Sequence, residues 1–307
     1  MDPDVIVGRD GWLFLDEGSN DSASYLTGAR PVERAVQDSW HRVIADRNDR
    51  LPAVVHLICP EKLAVFPELH DRGPFDPDRL AVRLARLPRV LYPVDELAAG
   101  AEQGLRSYIR TDSHFTDLGA AIAVRLVLKA FGQDVDLHED YRLRLINGDL
   151  GIKFTPCRSS ETLVLPNLPG MSVSDNGLTN RGRILHILSP RAPLGRLLIF
   201  GDSFSGLALA RVFARAFSEV VFLNNLSADD GLIARLAPDL VVFEMAERFL
   251  RTAPADGDTL SALTAMRHRT GHAEAVEAWR TSSSTTRDMV DWVEIDRLIA
   301  ARTRFGW

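Results

Sequence analysis

Two periodicities run through this chain. Short β-branched runs stand at Ala53–Cys59 ("AVVHLIC"), Arg89–Asp95 ("RVLYPVD"), Arg106–Asp112 ("RSYIRTD"), Arg196–Asp202 ("RLLIFGD"), Glu219–Asn225 ("EVVFLNN") and Asp239–Met245 ("DLVVFEM"). Apolar runs without alternation are expected of strands covered on both faces. Between them, helical spacing of apolar residues covers Val32–Arg50, Asp78–Leu87, Asp117–Phe131, Ser205–Phe217 and Ala228–Leu236. From Arg196 the order strand, helix, strand, helix, strand predicts a parallel sheet with crossover helices. The stretch from His138 to Pro193 breaks the pattern. It is rich in Gly, Asn, Ser, Arg and Pro, with weak strand signals such as "ETLVLP". It reads as an irregular insertion or a small β excursion between the two parts of the sheet, and long loops of this kind are more often functional than idle. Residues 1–250 are therefore assigned to one α/β domain with an insertion at 138–193. Residues 251–307, polar and broken by "SSSTT" (Ser282–Thr286), are assigned to a helical extension packed on it.

Composition changes this picture mainly by exclusion. The 307 residues are 46% hydrophobic and 25% charged, as in an ordinary globular protein. A net charge of -6 argues against a general nucleic-acid binder. No apolar run reaches membrane-spanning length, and the acidic opening "MDPDVIVGRDGWLFLDEG" does not read as a secretory signal. As written, the chain is expected in the cytoplasm, or in the periplasm or outside the cell if a leader was removed. Cys59 and Cys157 cannot build a disulfide framework or a cysteine-rich zinc site, and a single bridge between them stays open.

Chemistry enters at "LLIFGDSFSGLA" (Leu197–Ala208). Ser203 stands where a buried strand hands over to a helix, so its hydroxyl meets free backbone N–H groups and the positive helix end. Those donors suit the oxyanion of an acyl-transfer intermediate. Gly201 and Gly206 leave the backbone open to a close approach by substrate. The same position also suits a plain helix cap, by Ser203 or Ser205. The string is neither the G-x-S-x-G elbow nor the Rossmann glycine pattern, so no nucleotide cofactor is expected.

A serine nucleophile needs a base, and the base needs an orienting group. His56 lies inside an apolar run, and His41, His268 and His272 lie on polar helical stretches. His114, in "YIRTDSHFTDLGAA", shares with Asp112 a predicted strand-to-helix loop like that of Ser203. Such loops open together at the carboxyl edge of a parallel sheet. The i, i+2 spacing lets both side chains point the same way, with the carboxylate fixing the imidazole tautomer. Two other readings compete: a capped helix start, and a metal site of Asp112, His114 and Asp202. The latter lacks a second histidine or a cysteine pair at ligand spacing, so no metal is expected.

The blocks "TDSHFT" and "GDSFSG" resemble the SGNH hydrolase-like domain of the alginate O-acetyltransferase proteins AlgX and AlgJ. Four further stretches are similar in the same order: "VIVGRDGWLFL" (Val5–Leu15), "CPEKLAVFPE" (Cys59–Glu68), "NGDLG" (Asn147–Gly151) and "PDLVVFEMAERFL" (Pro238–Leu250). The resemblance implies a flavodoxin-like three-layer α/β/α sandwich with a mostly parallel sheet and circularly permuted catalytic blocks. It implies Ser203 as nucleophile, His114 as general base and then acid, and Asp112 as the group that orients His114. The family chemistry is transfer of an acetyl group to sugar hydroxyls through an acyl-serine, with esterase activity when water replaces the sugar. The implied partners are an acyl donor, a carbohydrate acceptor and, by family analogy, a membrane-bound acyltransferase.

Secondary assignments follow from position. Asn224 and Asn225 end a strand beside the serine strand, where one amide is an oxyanion candidate and a turn role the alternative. Lys62 leaves the first long strand at the same edge, as a substrate contact or a solvated lysine. Glu247 and Arg248 follow the last strand, as an internal ion pair or a substrate contact. Trp12 and Phe14 suit packing more than sugar stacking, and Gly148 and Asp149 suit a turn in the insertion. Relatives of this kind are usually exported or membrane-anchored, and the 57 residues after Leu250 are too few for an added β-sandwich module. Three functions compete: an O-acetyltransferase on a carbohydrate or glycoside hydroxyl, a carbohydrate acetylesterase with the same triad, and a non-catalytic saccharide-binding protein.

Overall fold

The computed structural model describes residues 4–17, 21–100, 106–175, 180 and 182–256. Beyond residue 256 the expected helical extension lies outside the described residues, as do His268 and His272. In chain order the strands are β1 (Val5–Val7), β2 (Leu13–Leu15), β3 (Val54–Cys59), β4 (Val90–Leu91), β5 (Arg142–Asn147), β6 (Ser159–Val164), β7 (Ser172–Asp175), β8 (Ile184–Leu188), β9 (Leu194–Gly201), β10 (Phe217–Asn224) and β11 (Leu240–Ala246). The α-helices are α1 (Ser22–Leu26), α2 (Arg34–Arg50), α3 (Lys62–Val65), α4 (Leu80–Leu84), α5 (Val94–Ala99), α6 (Asp117–Ala130), α7 (Ala210–Phe213) and α8 (Asp230–Leu236).

The main sheet has the order β4-β3-β11-β9-β10-β8-β7. The five strands from β4 to β10 are parallel, and β8 and β7 add antiparallel. Because successive strand residues point to opposite faces, each apolar run feeds two cores. Leu198, Phe200, Val221, Leu223, Val241 and Phe243 pack with Leu236, Leu232 and Ile233 of α8. Leu197, Ile199, Val220, Phe222, Leu240 and Val242 join the larger core with Val124 and Val127 of α6 and Phe213 of α7. Arg47 of α2 lies 3.6 Å over the Phe243 ring, which puts α2 on the α8 side. The result is a three-layer α/β/α sandwich, the fold class expected.

Three local expectations need correction, and one open alternative is decided. "RSYIRTD" forms no sheet strand; it makes one isolated bridge, Tyr108 to Phe115. Thr116 is the reason: its amide bonds the Ser107 carbonyl at 2.9 Å and its hydroxyl caps α6 through Gly119, so the chain turns back at once. "RVLYPVD" keeps two strand residues before Pro93, which cannot donate to a ladder, and then enters α5. Ser205–Phe217 is not one helix: a π-helical turn (Ser205–Leu209) leads into α7, and Phe217 already belongs to β10. For the insertion, the β-excursion reading holds. β5 and β6 form a separate antiparallel ribbon, while β7 and β8 extend the main sheet. Cys59 is buried and Cys157 exposed, both as free thiols, so the two are not bridged.

Candidate active site

Strands β3, β9, β10 and β11 run parallel, so their exits share one edge. At the exit of β9, Asp202 caps the following turn: its Oδ1 accepts from the Phe204 amide at 2.9 Å and its Oδ2 from the Ala246 amide at 2.7 Å. Neither serine is the cap. The Ser205 hydroxyl donates to buried Glu244 at 2.6 Å, and the Ser203 hydroxyl faces His114. Ser203 Oγ lies 2.8 Å from His114 Nε2, and His114 Nδ1 lies 2.6 Å from Asp112 Oδ1. Asp112, His114 and Ser203 thus form one continuous hydrogen-bonded chain.

Apolar packing brings the two loops together. Phe204 follows Ser203 and Phe115 follows His114, and their rings meet edge to face at 4.7 Å. Phe204 also lies 4.9 Å from the His114 ring. Both phenylalanines are buried, so the contact favours one relative placement of the loops.

Asp112 is held from several directions. Its Oδ1 accepts from the His114 amide at 2.9 Å as well as from the ring, and its Oδ2 accepts from the Asp149 amide at 2.9 Å. Burial opposes its charge. The hydrogen bond and charge of His114, with the Asp149 and His114 amides, outweigh burial and hold the carboxyl well below its ordinary value of 3.8. Asp149, whose position in sequence suggested only a turn, accepts from the Ser113 amide at 2.7 Å and from the Ser113 hydroxyl at 2.6 Å. Gly148 lets this turn approach so closely: a Cβ there would lie 2.1 Å from the Thr111 carbonyl oxygen.

Asp112, His114 and Asp149 offer ligand atoms within 4.8 Å of one another, a set that could hold a metal ion. The oxygens of both aspartates are already engaged by the N–H and O–H donors just named. The composition of the set also differs from the metal reading considered above, because the Asp202 oxygens are turned to the Phe204 and Ala246 amides.

The weaker candidates separate from this chain. Lys62 is buried, and its ammonium donates to the carbonyls of Ile109, Arg110 and Asp112 at 2.9, 3.3 and 2.6 Å. Its three donors are spent on the loop that carries Asp112 and His114, which corrects both the substrate-contact and the solvated readings. Burial lowers its pKa to about 7, against the attraction of Asp112, Asp149 and Glu61. Arg248 is buried against Glu61 at 3.0 Å, and Glu247 accepts from Arg79 and Tyr92 at 2.8 and 2.7 Å, so these are internal ionic contacts. Asn225 donates from its side chain to the Ser227 carbonyl at 3.1 Å, the turn role; Asn224 is buried at the end of β10. Trp12 and Phe14 are buried, with the Lys62 ammonium 5.4 and 5.2 Å from their ring centroids. His56 is a core residue stacked on Phe243, its pKa lowered to about 3 by burial.

Residues 5–142 match the family model described as "SGNH hydrolase-like domain, acetyltransferase AlgX". This part of the chain is similar to that family. The matched span includes Asp112 and His114 and ends before Ser203. A probable alginate O-acetylase AlgJ of Pseudomonas fluorescens is 23% identical over 296 residues, covering 83% of this chain and 71% of that protein. Among solved structures, a DHHW family protein of Eubacterium siraeum is similar with a TM-score of 0.54 at 15% identity, covering 85% of this chain and 98% of its own. Bacillus cereus PatB1 with a sulfonyl adduct gives 0.54 at 13% identity, covering 80% and 95%. The structural likeness concerns the fold. Similarity to this family and to the alginate O-acetylases supports acetyl transfer as the class of activity. Among the described residues no helix is long and apolar enough to cross a membrane.

Proposed function

We propose that this protein is an O-acyltransferase, most simply an O-acetyltransferase, that modifies a carbohydrate or glycoside hydroxyl through an acyl-serine on Ser203. The carrying observation is the chain from Asp112 through His114 to the Ser203 hydroxyl, with links of 2.6 and 2.8 Å. His114 takes the Ser203 proton through Nε2 as Oγ attacks the acyl carbonyl, while Asp112 holds Nδ1 and stabilises the imidazolium that forms. Collapse of the tetrahedral intermediate expels the donor's leaving group, which receives the proton from His114. The acceptor hydroxyl then gives its proton to His114 and attacks the acyl-serine, and Ser203 regains its proton as the acyl group departs. The Ser203 amide suits the developing oxyanion: the Phe204, Ser205 and Asp202 amides are bound to carboxylates, and among the described residues the Ser203 amide is not. The relatives' designation as alginate O-acetylases supports a sugar hydroxyl as acceptor.

The test combines a chromogenic acetyl ester with intact mass. Wild type is expected to release the chromophore and gain one acetyl group on Ser203, and candidate sugars are expected to divert acetyl from water. Ser203→Ala matching wild type would sink the reading. Free acetate as the sole product with every sugar class offered would make the protein an esterase.

A further inference from the structure

Beneath the Ser203 turn lies a carboxyl group that this chemistry does not use. Glu244, in the middle of β11, is fully buried. Its Oε2 accepts from the Ser205 hydroxyl at 2.6 Å, the Ser205 amide at 3.2 Å and the Asp202 amide at 3.1 Å. These donors bracket Ser203 on both sides in sequence. Gly201 permits the approach, because a Cβ there would come within 2.6 Å of Oε2. Oε1, in contrast, is buried with no N–H or O–H donor among the described residues, and the Cys59 thiol of β3 is a further hydrogen-bonding neighbour of this carboxyl. An ionised carboxylate presents two equivalent acceptors, and leaving one of them dry is costly. A neutral acid has one strong acceptor, its carbonyl oxygen, which takes the three donors, and one O–H donor, for which the neighbouring Cys59 sulfur is a weak acceptor.

We infer that Glu244 is a positioning residue for Ser203 and acts as the neutral acid. The carbonyl Oε2 holds residues 202 and 205, which presents the Ser203 hydroxyl to His114 and leaves the Ser203 amide available, while the proton stays on Oε1. The inference rests on Ser203 being the nucleophile. The ionisable groups facing this carboxyl are Asp202 on the turn and the Cys59 thiol on β3, and the charge of Arg248 acts on both of these. Burial, then the charge of Asp202, push the Glu244 carboxyl well above its ordinary range, opposed by Ser205, the Asp202 amide and Cys59. An uncharged Glu244 also leaves no additional anion under a forming oxyanion.

Glutamine reproduces the neutral acid: its carbonyl can take the place of Oε2 and its amide that of Oε1. Steady-state turnover of the chromogenic ester is measured from pH 6 to 9 for wild type, Glu244→Gln, Glu244→Leu, Ser205→Ala and Ser203→Ala. Glu244→Gln is expected to keep kcat within roughly 3-fold of wild type with the same pH profile. Glu244→Leu should lose roughly 100-fold in kcat with little change in KM, the scale of a misplaced reacting group. Ser205→Ala, which removes one of three donors and perturbs folding least, should lose roughly 5- to 10-fold in kcat at unchanged KM. The inference is overturned if Glu244→Gln falls as far as Glu244→Leu, which would make the charge the active feature. It is equally overturned if Ser205→Ala and a folded Glu244→Leu both turn over like wild type. An inactive Ser203→Ala beside such variants would leave the nucleophile reading standing and remove only this inference. An active Ser203→Ala would remove both.

Discussion

Replacing Lys62 by methionine tests how the loop bearing Asp112 and His114 is held in place. Methionine keeps most of the buried stem and removes the ammonium. Three carbonyls, of Ile109, Arg110 and Asp112, lose their donor at once. At a net contribution of about 1 kcal/mol per hydrogen bond, the loss is about 3 kcal/mol, a large share of a typical stability of 5–15 kcal/mol. For a domain of this size that corresponds to a fall in Tm of about 6–12 °C. The loop also loses a tether directly beside Asp112, and a shift of about 1 Å there is enough to cost about 100-fold in kcat. Thermal unfolding followed by circular dichroism, with turnover of a chromogenic acetyl ester, measures both effects. A Lys62→Met protein with Tm within about 2 °C and kcat within about 3-fold of wild type would refute the account, since both effects follow from the same three bonds.

Other consequences can be checked with the same assays. His114→Ala and Ser203→Ala should each lose orders of magnitude in turnover, with no further loss in the double variant; additive losses would show that they do not act as a unit. Asp112 has a folded pKa below its unfolded value, so its contribution to stability is fully present above about pH 4 and is lost as pH falls through the folded value. The Tm gap between wild type and Asp112→Asn should therefore be flat above about pH 5 and shrink below about pH 4; a gap unchanged at low pH would contradict the charge held by His114. Gly148→Ala would set a methyl 2.1 Å from the Thr111 oxygen and 2.7 Å from Asp112 Cβ, and the backbone must yield. It should cost about 2 kcal/mol and lower kcat more than it raises KM, as read from denaturant melts and steady-state rates.

Much of the architecture was legible because it rests on periodicity. The non-alternating runs around Val54–Cys59, Leu194–Gly201, Phe217–Asn224 and Leu240–Ala246 are central strands of the main sheet. A strand buried on both faces must be apolar throughout, whatever its neighbours. The expected strand at Arg106–Asp112 failed because local composition cannot reveal that Thr116 bonds back to Ser107 and closes the turn. The polar β7 (SVSD) and the apolar β8 (ILHIL) fall within the stretch read as an irregular insertion or small β excursion, with no bounds of their own. Their pairing depends on the edge left by β10, and sequence-local signals carry little of that.

The sequence by itself determined which side chains carry chemistry and that Asp112 and His114 stand two residues apart. It also held a signal passed over: each of His114 and Ser203 is followed by a phenylalanine. Only the tertiary structure decided that these rings pack against each other, which closes 89 residues of separation to a 2.8 Å contact. It likewise decided the roles of Lys62, Asp149 and Glu244. A lysine after a strand, an aspartate in a turn and a glutamate in an apolar run look alike whether they meet solvent, substrate or backbone. What separates these cases is which carbonyls and amides lie within 3 Å, and that is set by chain segments remote in sequence.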